Sequence, residues 1–131
     1  MENKSLLVYA YLGDAVYELL TREYLCFKTG AKAKVNDLKN ESLSFVSATS
    51  QATILKKLLD LDFFNEQELD LLRRGRNVKT NSKPKYCSII TYKYATSLEV
   101  LFGFLKAKGK LERLEEIFTK IIEISEEWDL C

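Results

Sequence analysis

The 131-residue chain, with 47% hydrophobic residues, is long enough for one domain with a substantial core, and its single proline and five glycines favour long helices over short strands. A formal net charge of +1 conceals a segregation of basic and acidic residues into separate stretches. The chain contains no histidine, which excludes imidazole acid–base catalysis and every Ser-His or Cys-His arrangement. If the protein is a hydrolase, carboxylates and a hard metal ion must therefore perform the chemistry.

The absence of a long apolar run and the spacing of the cysteines indicate the cellular compartment. The chain has no run of about 18 uncharged apolar residues, and its polar start, MENKS, has no signal-peptide core. Three widely separated cysteines, Cys26, Cys87 and Cys131, follow no metal-ligand spacing, which favours free thiols in a reducing compartment. We therefore expect a cytoplasmic protein without membrane segments, forming a single domain over residues 1–131.

A long first helix is predicted from Ser5, which can act as its N-cap, to about Cys26. Gly13 interrupts its apolar face. A glycine inside a helix costs roughly 1 kcal/mol relative to alanine, so it usually marks the close approach of another backbone or a ligand. Asp14 follows directly and shares a helix face with Glu18, where two like charges repel unless a cation lies between them. The plainer alternative is a half-buried helix whose acids face water.

The middle of the chain is predicted to be helical and to end in a basic segment. One bent helix or two in line are expected over residues 36–59, and a short helix begins at Asn65. From Arg73 to Lys85, six of 13 residues are Lys or Arg and none is acidic, and the glycine, asparagines and proline argue against regular structure. This basic segment can contact phosphates, although a charge run is usually only a solvated loop. It lacks the glycine-lysine-serine pattern of a nucleotide-binding loop, so no nucleotide cofactor is expected.

The next predicted helix, from about Tyr86 to Lys106, repeats the features of the first. It carries Glu99 as its single acid, with Gly103 four residues further on the same face. Two apolar helices that cross at their glycines would bring Asp14 and Glu99 together. Buried carboxylates without a basic neighbour are costly, and a bound divalent cation is a common reason for them to persist.

A final amphipathic helix is predicted from Leu111 onwards. Its inward side carries Leu114, Ile117, Phe118, Ile121, Ile122 and Ile124. Its outer side is strongly acidic, from Glu112 to Asp129. Because these acids would repel a nucleic acid, we expect the helix to lie away from any such substrate.

Three sequence blocks occur in order along the chain: LGDAVYE from Leu12 to Glu18, RRGRN from Arg73 to Asn77 and TSLEVLFG from Thr96 to Gly103. Together they resemble Mini-ribonuclease III, the short branch of the ribonuclease III nucleases, and the resemblance extends from about residue 6 to residue 111. It implies an all-α fold, the helical bundle of the ribonuclease III endonuclease domain. It also implies a magnesium-dependent endoribonuclease that cuts double-stranded RNA as a homodimer, with precursors of large-subunit ribosomal RNA as the substrate.

The resemblance assigns roles to individual residues. Asp14 and Glu99 match the family's catalytic, metal-binding acids, and Glu18 is a secondary candidate for the metal shell. Full-length members carry two further acids, at positions occupied here by Ala10 and Thr96, so water and RNA oxygens would complete the Mg²⁺ shell. Two neighbours of Glu99 also depart from the small residues that are expected there, namely Ser97 and Val100.

Partner surfaces follow from the same resemblance. RNA binding is assigned to the basic residues Arg73, Arg74, Arg76, Lys79, Lys83 and Lys85, with contributions from Lys28, Lys32 and Lys34. Tyr9, Tyr11 and Tyr17 are candidates for the homodimer interface, although aromatic residues at these spacings can equally be core. No separate double-stranded-RNA-binding domain is expected. The alternatives are a non-catalytic helical RNA-binding or ribosome-associated module and, less favoured for want of a helix-turn-helix pattern, a helical DNA-binding regulator.

Overall fold

A computed structural model describes residues 3–30, 34–79 and 87–129, with the side chains of residues 5–30, 34–79 and 87–127. These residues form six helices and no strand, which confirms the all-α prediction. The helices are α1 (Asn3–Thr29), α2 (Val35–Val46), α3 (Ala48–Asp60), α4 (Glu66–Arg76), α5 (Ile89–Ala107) and α6 (Leu111–Asp129). Within the described ranges, no helix combines the length and the apolar character that crossing a bilayer requires.

Helix α5 is the centre of the bundle. It packs against α1, α3, α4 and α6, and in its segment of residues 95–105 every residue except Glu99 is buried. Leu98 and Phe102 have no exposed surface at all. A helix that is apolar on nearly all sides must be enclosed by others, so α5 determines where its neighbours pack.

Helices α1 and α5 cross with their backbones in contact at two glycines. A Cβ atom at Gly13 would overlap the carbonyl oxygen of Glu99, and one at Gly103 would overlap the carbonyl oxygen of Tyr9. The close approach that Gly13 predicted is therefore present, and the approaching backbone is that of α5. This crossing places Glu99 beside Asp14, the residue that follows Gly13.

Residues 36–59, for which the prediction allowed one bent helix or two, form two helices. Helix α2 ends at Val46, and Ser47 has an extended backbone, with ψ of 150°, that cannot continue the helix. The Ser47 hydroxyl instead accepts a 3.2 Å hydrogen bond from the backbone N–H of Ser50 and caps α3. The start of α3 is thus fixed by a local interaction.

Helix α4 begins as predicted, with a capping box at Asn65, but it is longer than predicted. Regular structure was expected to end at Arg73, whereas the helix continues through Arg76, so this part of the prediction is wrong. The reason lies in the packing of Gly75 on α5, where an added Cβ would lie 3.2 Å from the Cα of Ser97. Close contact between the two helices outweighs the low helix propensity of this glycine.

The two residues that depart from the family pattern near Glu99 take part in the same α4–α5 contact. The Ser97 hydroxyl donates a 2.7 Å hydrogen bond to the carbonyl oxygen of Leu72. Val100 is fully buried, and its Cβ would lie 3.2 Å from a Cβ at Gly75. Both side chains therefore serve helix packing.

Helix α6 covers the bundle with one apolar side. The buried residues of this side are Leu114, Ile117, Phe118, Ile121 and Ile124, and Ile122 is partly buried. The acids at 112, 115, 116, 123, 126 and 127 are exposed, which confirms the predicted amphipathic pattern over the side chains that are described. One side chain of α6, Arg113, reaches back to α4 and forms a bidentate pair with Glu68, with two N···O distances of 2.8 Å.

Candidate active site

The α1–α5 crossing brings the carboxyl groups of Asp14 and Glu99 within hydrogen-bonding reach of each other. Asp14 is exposed, whereas Glu99 is only partly accessible. The two acids singled out in the sequence thus share one location, and solvent reaches it from the Asp14 side.

The protonation of Glu99 depends on this environment. Burial, followed by the hydrogen bond and the negative charge of Asp14, raises the pKa of Glu99 from its ordinary value of 4.5 to about 8. A hydrogen bond from the side-chain amide of Gln51 acts in the opposite direction and favours the ionised form. Without a counter-charge, the Asp14–Glu99 pair therefore holds a proton at neutral pH.

The donor atoms at this location suit a hard cation such as Mg²⁺. Two carboxyl groups that cannot both ionise unaided accept a divalent ion in place of the shared proton. No group of three or more Asp, Glu, His or Cys side chains is placed to hold a metal in the part of the chain that the structure describes. Mg²⁺ is commonly bound by one or two carboxylates, with water and substrate oxygens as its other ligands, so the two acids fit this ion.

The further acidic candidate, Glu18, forms an exposed ion pair with Arg22 on the same helix, at 2.7 Å. It does not form a three-carboxylate group with Asp14 and Glu99. In the single subunit, Glu18 therefore lies in a surface ion pair and outside any such group. Ala10 and Thr96, which stand where full-length members have acids, are both buried.

Two polar residues that the sequence analysis did not connect with the site lie close to Glu99. Gln51 of α3 is 3% exposed, and its side-chain amide lowers the pKa of Glu99. The hydroxyl group of Tyr17 is buried and has no hydrogen-bond partner among the described residues. Burial, and secondarily the charge of Glu99, raises the pKa of Tyr17. A signal for Gln51 was available, because it shares a helix face with the apolar residues Leu55 and Leu58.

The three tyrosines proposed for a dimer interface have different environments. Tyr17 has no exposed surface, and its ring packs against Phe102 with centroids 5.1 Å apart. A side chain enclosed within its own subunit cannot contact a partner, so the interface prediction is wrong for Tyr17. Tyr9 packs edge-on against Phe104, whereas Tyr11 is 85% exposed.

The described basic residues at the end of α4 are partly neutralised within the chain. Arg73 and Arg74 both pair with Asp70, at 2.6 and 3.0 Å. Arg76 lies over the ring of Tyr94, 6.0 Å from its centroid, and Lys79 is exposed. Two other predicted RNA contacts, Lys83 and Lys85, fall outside the described residues, as does Lys32.

Lys56 of α3 extends this basic surface in a way that the sequence did not indicate. Its ammonium group lies 5.2 Å from the centroid of the Tyr94 ring, on which Arg76 also lies. Lys28, in contrast, pairs with Glu41 at 3.4 Å, and Lys34 is exposed. Helices α3, α4 and α5 therefore each contribute a residue to one basic and aromatic surface.

The all-helical fold is that of a nuclease domain, because a family model described as "Ribonuclease III domain" matches residues 7–110. A crystal structure of a protein from Fusobacterium nucleatum has a similar fold, with a TM-score of 0.79 and 28% identity, covering 90% of this chain and 93% of that one. The fold and the family match define the class as endoribonuclease.

Relatives narrow the class further. A Mini-ribonuclease 3 of Staphylococcus aureus is 40% identical over 121 residues, which cover 92% of this chain and 89% of that protein. A Mini-ribonuclease 3 of Symbiobacterium thermophilum is 43% identical over 111 residues, covering 85% of this chain and 82% of the relative. The chain belongs to the Mini-ribonuclease 3 branch of the ribonuclease III family.

Proposed function

We propose that the chain is an Mg²⁺-dependent endoribonuclease that cleaves double-stranded RNA, with Asp14 and Glu99 as the metal-binding catalytic residues. The observation that carries the proposal is the contact between these two carboxyl groups at the α1–α5 crossing. A buried acid that faces a second acid is unfavourable unless a proton or a cation lies between them. A site for a divalent cation gives this arrangement a function.

Glu99 and Asp14 have different roles at this site. Glu99 is held by the backbone contact of its own carbonyl with Gly13, so its carboxylate projects from a rigid position. Asp14 is exposed and offers its oxygen atoms on the side from which a substrate approaches. When bound, Mg²⁺ supplies an activated water molecule and stabilises the charge that develops on the scissile phosphate.

Recognition of the RNA is assigned to the basic residues around the end of α4. Arg73, Arg74, Arg76 and Lys79 of the described chain, together with Lys83 and Lys85, provide charge for phosphate contacts. Guanidinium and ammonium groups that bind phosphates read the shape of an A-form duplex more than its sequence. The exposed acids of α6 would repel the same duplex, which restricts binding to other faces of the molecule.

Assembly as a homodimer is part of the proposal, because a duplex presents two strands and each subunit supplies one cutting centre. An exposed apolar stripe on α1 supports it, since Val8, Tyr11, Leu12, Ala15 and Leu19 recur at the spacing of one helical face. Val8 and Tyr11 are 64% and 85% exposed in the single subunit. Similarity to the Mini-ribonuclease 3 branch leads us to propose precursors of large-subunit ribosomal RNA, in the cytoplasm, as the substrate.

The test is cleavage of a labelled RNA duplex by the full chain with Mg²⁺, with a chelator, and by the Asp14→Asn and Glu99→Gln variants. We expect cleavage only by the unmodified chain with Mg²⁺. The matched control is Glu18→Gln, which removes another acid from α1 but only breaks an exposed ion pair, and it should cleave normally. Binding of the duplex without cleavage in every sample would instead indicate a non-catalytic RNA-binding module.

A further inference from the structure

Two cations from different helices converge on the ring of Tyr94 in α5. The Nζ atom of Lys56 in α3 lies 5.2 Å from the ring centroid, and the guanidinium carbon of Arg76 in α4 lies 6.0 Å from it. Both distances are within the range of a cation–π interaction, so the ring gives the two charges a common location. A ring attracts a cation without neutralising it, and the two positive charges remain.

No carboxylate of the described chain forms an ion pair with either cation. The neighbouring residues Arg73 and Arg74, in contrast, both pair with Asp70. Lys56 is exposed and Arg76 is partly exposed, so a molecule in solution can reach both. An anion that binds at the Tyr94 ring would therefore neutralise two charges that the subunit itself leaves uncompensated.

The ring of Tyr94 also borders an open cavity of about 230 Å³ between α3, α4 and α5. Its lining includes the buried leucines Leu55 and Leu72 and, nearer to solvent, Arg73 and Arg76. A cavity with apolar inner walls and cations at its opening suits a sugar–phosphate group. The carbon atoms of a ribose can pack on leucine while the phosphate oxygen atoms face the cations.

A second pair of cations on α5 has a different environment. Lys108 and Lys110 each lie 5.8 Å from the centroid of Phe104. That ring is buried, and Lys110 also donates a 3.2 Å hydrogen bond to the side chain of Gln67. These contacts belong to the packing of the subunit, whereas the ring of Tyr94 is partly exposed beside an open cavity.

We propose that Lys56, Tyr94 and Arg76, the Tyr94 cluster, bind the sugar–phosphate backbone of the RNA substrate, with the cations contacting phosphate and the ring holding them in position. The inference rests on the RNA recognition proposed above, to which it adds Lys56 and Tyr94. Tyr94 precedes Glu99 by five residues on α5, which places it about 7.5 Å along the helix axis and about 140° around it. The Tyr94 cluster would therefore contact nucleotides beside the scissile phosphate and not that phosphate itself.

The test is the affinity of the full chain for a labelled RNA duplex, measured in a chelator across a salt series. Lys56→Gln should weaken binding by about 3–10-fold at low salt and reduce the slope of log affinity against log salt by about 1, because a phosphate contact is lost. Tyr94→Leu should also weaken binding although it removes no charge, because the two cations lose their common location. Tyr94→Phe keeps an aromatic ring and should bind more tightly than Tyr94→Leu.

A matched control separates RNA binding from a purely structural role. Lys108→Gln removes the same charge from the other ring on α5, that of Phe104. Lys56→Gln and Lys108→Gln should change the unfolding temperature by similar amounts, but only Lys56→Gln should weaken duplex binding. If Tyr94→Leu does not fold, Lys56→Gln decides the question, because it changes an exposed side chain.

The outcomes distinguish this site from the wider proposal. Unchanged affinity in Lys56→Gln, with weaker binding by the double variant Arg73→Ala, Arg74→Ala, would overturn the Tyr94 cluster and leave RNA binding at the end of α4 intact. Equal weakening in Lys56→Gln and Lys108→Gln would also overturn it, since the loss of any cation would then have the same effect. Absence of duplex binding by the unmodified chain would overturn the proposed RNA recognition as a whole. Because no metal is present in the assay, failure of the metal site would not alter these results.

Discussion

The Cα of Gly13 faces the backbone carbonyl group of Glu99 with no space between them for a side chain. The reciprocal contact, between Gly103 and the carbonyl oxygen of Tyr9, lies one helical turn away. Two contacts of this kind lock both the separation of α1 and α5 and the register of one helix along the other. The site depends on that register, since Asp14 and Glu99 are each within one residue of the contact.

A methyl group at Gly13 should therefore damage both stability and the site. We expect Gly13→Ala to lower the free energy of unfolding by at least about 2 kcal/mol, because backbone atoms cannot move aside as a flexible side chain can. Urea denaturation measures the loss, and Mn²⁺ affinity should fall with it.

The control is Gly109→Ala, where φ is +70° and nothing lies within 4 Å of an added Cβ. It should cost only the roughly 1–2 kcal/mol of the left-handed conformation. Equal losses in the two variants would contradict the steric explanation.

The stability of the metal-free protein should decrease as pH rises from about 5 to 8. Burial and the neighbouring Asp14 raise the pKa of Glu99 from 4.5 to about 8, so the folded chain holds a proton that the unfolded chain has released. This contribution is fully present below pH 4.5 and is lost as pH rises through about 8. The slope from this one group is at most about 1.4 kcal/mol per pH unit. Urea unfolding at several pH values in a chelator measures it, and Glu99→Gln should remove it. An identical pH profile in that variant would rule out Glu99 as the source.

The pair between Glu68 and Arg113 should contribute strongly to stability. Glu68 is 4% exposed and accepts two 2.8 Å hydrogen bonds from the guanidinium group. Burial alone would raise the pKa of Glu68, but the bonds from Arg113 and from the Asn65 backbone outweigh it and lower the pKa. Arg113→Met should cost about 3–5 kcal/mol, because it leaves a buried carboxylate unpaired. This loss should shrink as pH falls below the ordinary pKa of a glutamate, since the lowered pKa stabilises the fold only above that range.

The control for Arg113→Met is a substitution in the exposed pair of Arg22 and Glu18, in which the arginine side chain is 70% exposed. Arg22→Ala should cost less than about 1 kcal/mol, because solvent screens this interaction. Thermal or urea unfolding of both variants gives the comparison. Similar losses would mean that burial does not determine the strength of the α4–α6 pair.

The acid that pairs with two arginines on α4 should limit RNA binding. Asp70 pairs with both Arg73 and Arg74, and its negative charge partly neutralises the proposed duplex-binding surface. Asp70→Asn should therefore strengthen duplex binding and steepen its salt dependence. The double variant Arg73→Ala, Arg74→Ala should weaken binding and reduce the salt slope by up to about 2.

Duplex affinity is measured across a salt series in a chelator, so that cleavage does not interfere. Lys120→Ala, on the acidic helix α6, serves as the control and should leave affinity unchanged. Unaltered affinity in both the Asp70 and the double arginine variants would remove the end of α4 from the RNA-binding surface.

The apolar stripe on α1 should hold two copies of the chain together. Val8→Asp combined with Tyr11→Asp places charge on side chains that are 64% and 85% exposed, so the fold of the subunit should be retained. We expect analytical ultracentrifugation to show a shift from dimer to monomer. Thr53→Asp, at an exposed position of α3, is the matched control and should remain dimeric. A dimer that survives both α1 substitutions would place the interface elsewhere.

Several features of the protein could be predicted from the sequence because they depend on local properties of the chain. The scarcity of proline and the periodic apolar residues predict long helices, and the acidic outer side of α6 follows from its spacing alone. The two acid–glycine pairs, at Asp14 with Gly13 and at Glu99 with Gly103, predict a close helix crossing because only glycine allows backbones to touch.

Other features were decided by tertiary contacts that no local pattern reports. Arg73 lies in a helix because Gly75 packs on α5, and Tyr17 is core because Phe102 and Phe118 enclose its ring. Gln51 and Glu99 are 48 positions apart in sequence, and the amide of Gln51 lowers the pKa of Glu99 only because α3 packs against α5. The periodicity of apolar residues predicts which face of a helix is buried. The identity of the side chains opposite that face depends on how the helices pack, and only the tertiary structure shows this packing.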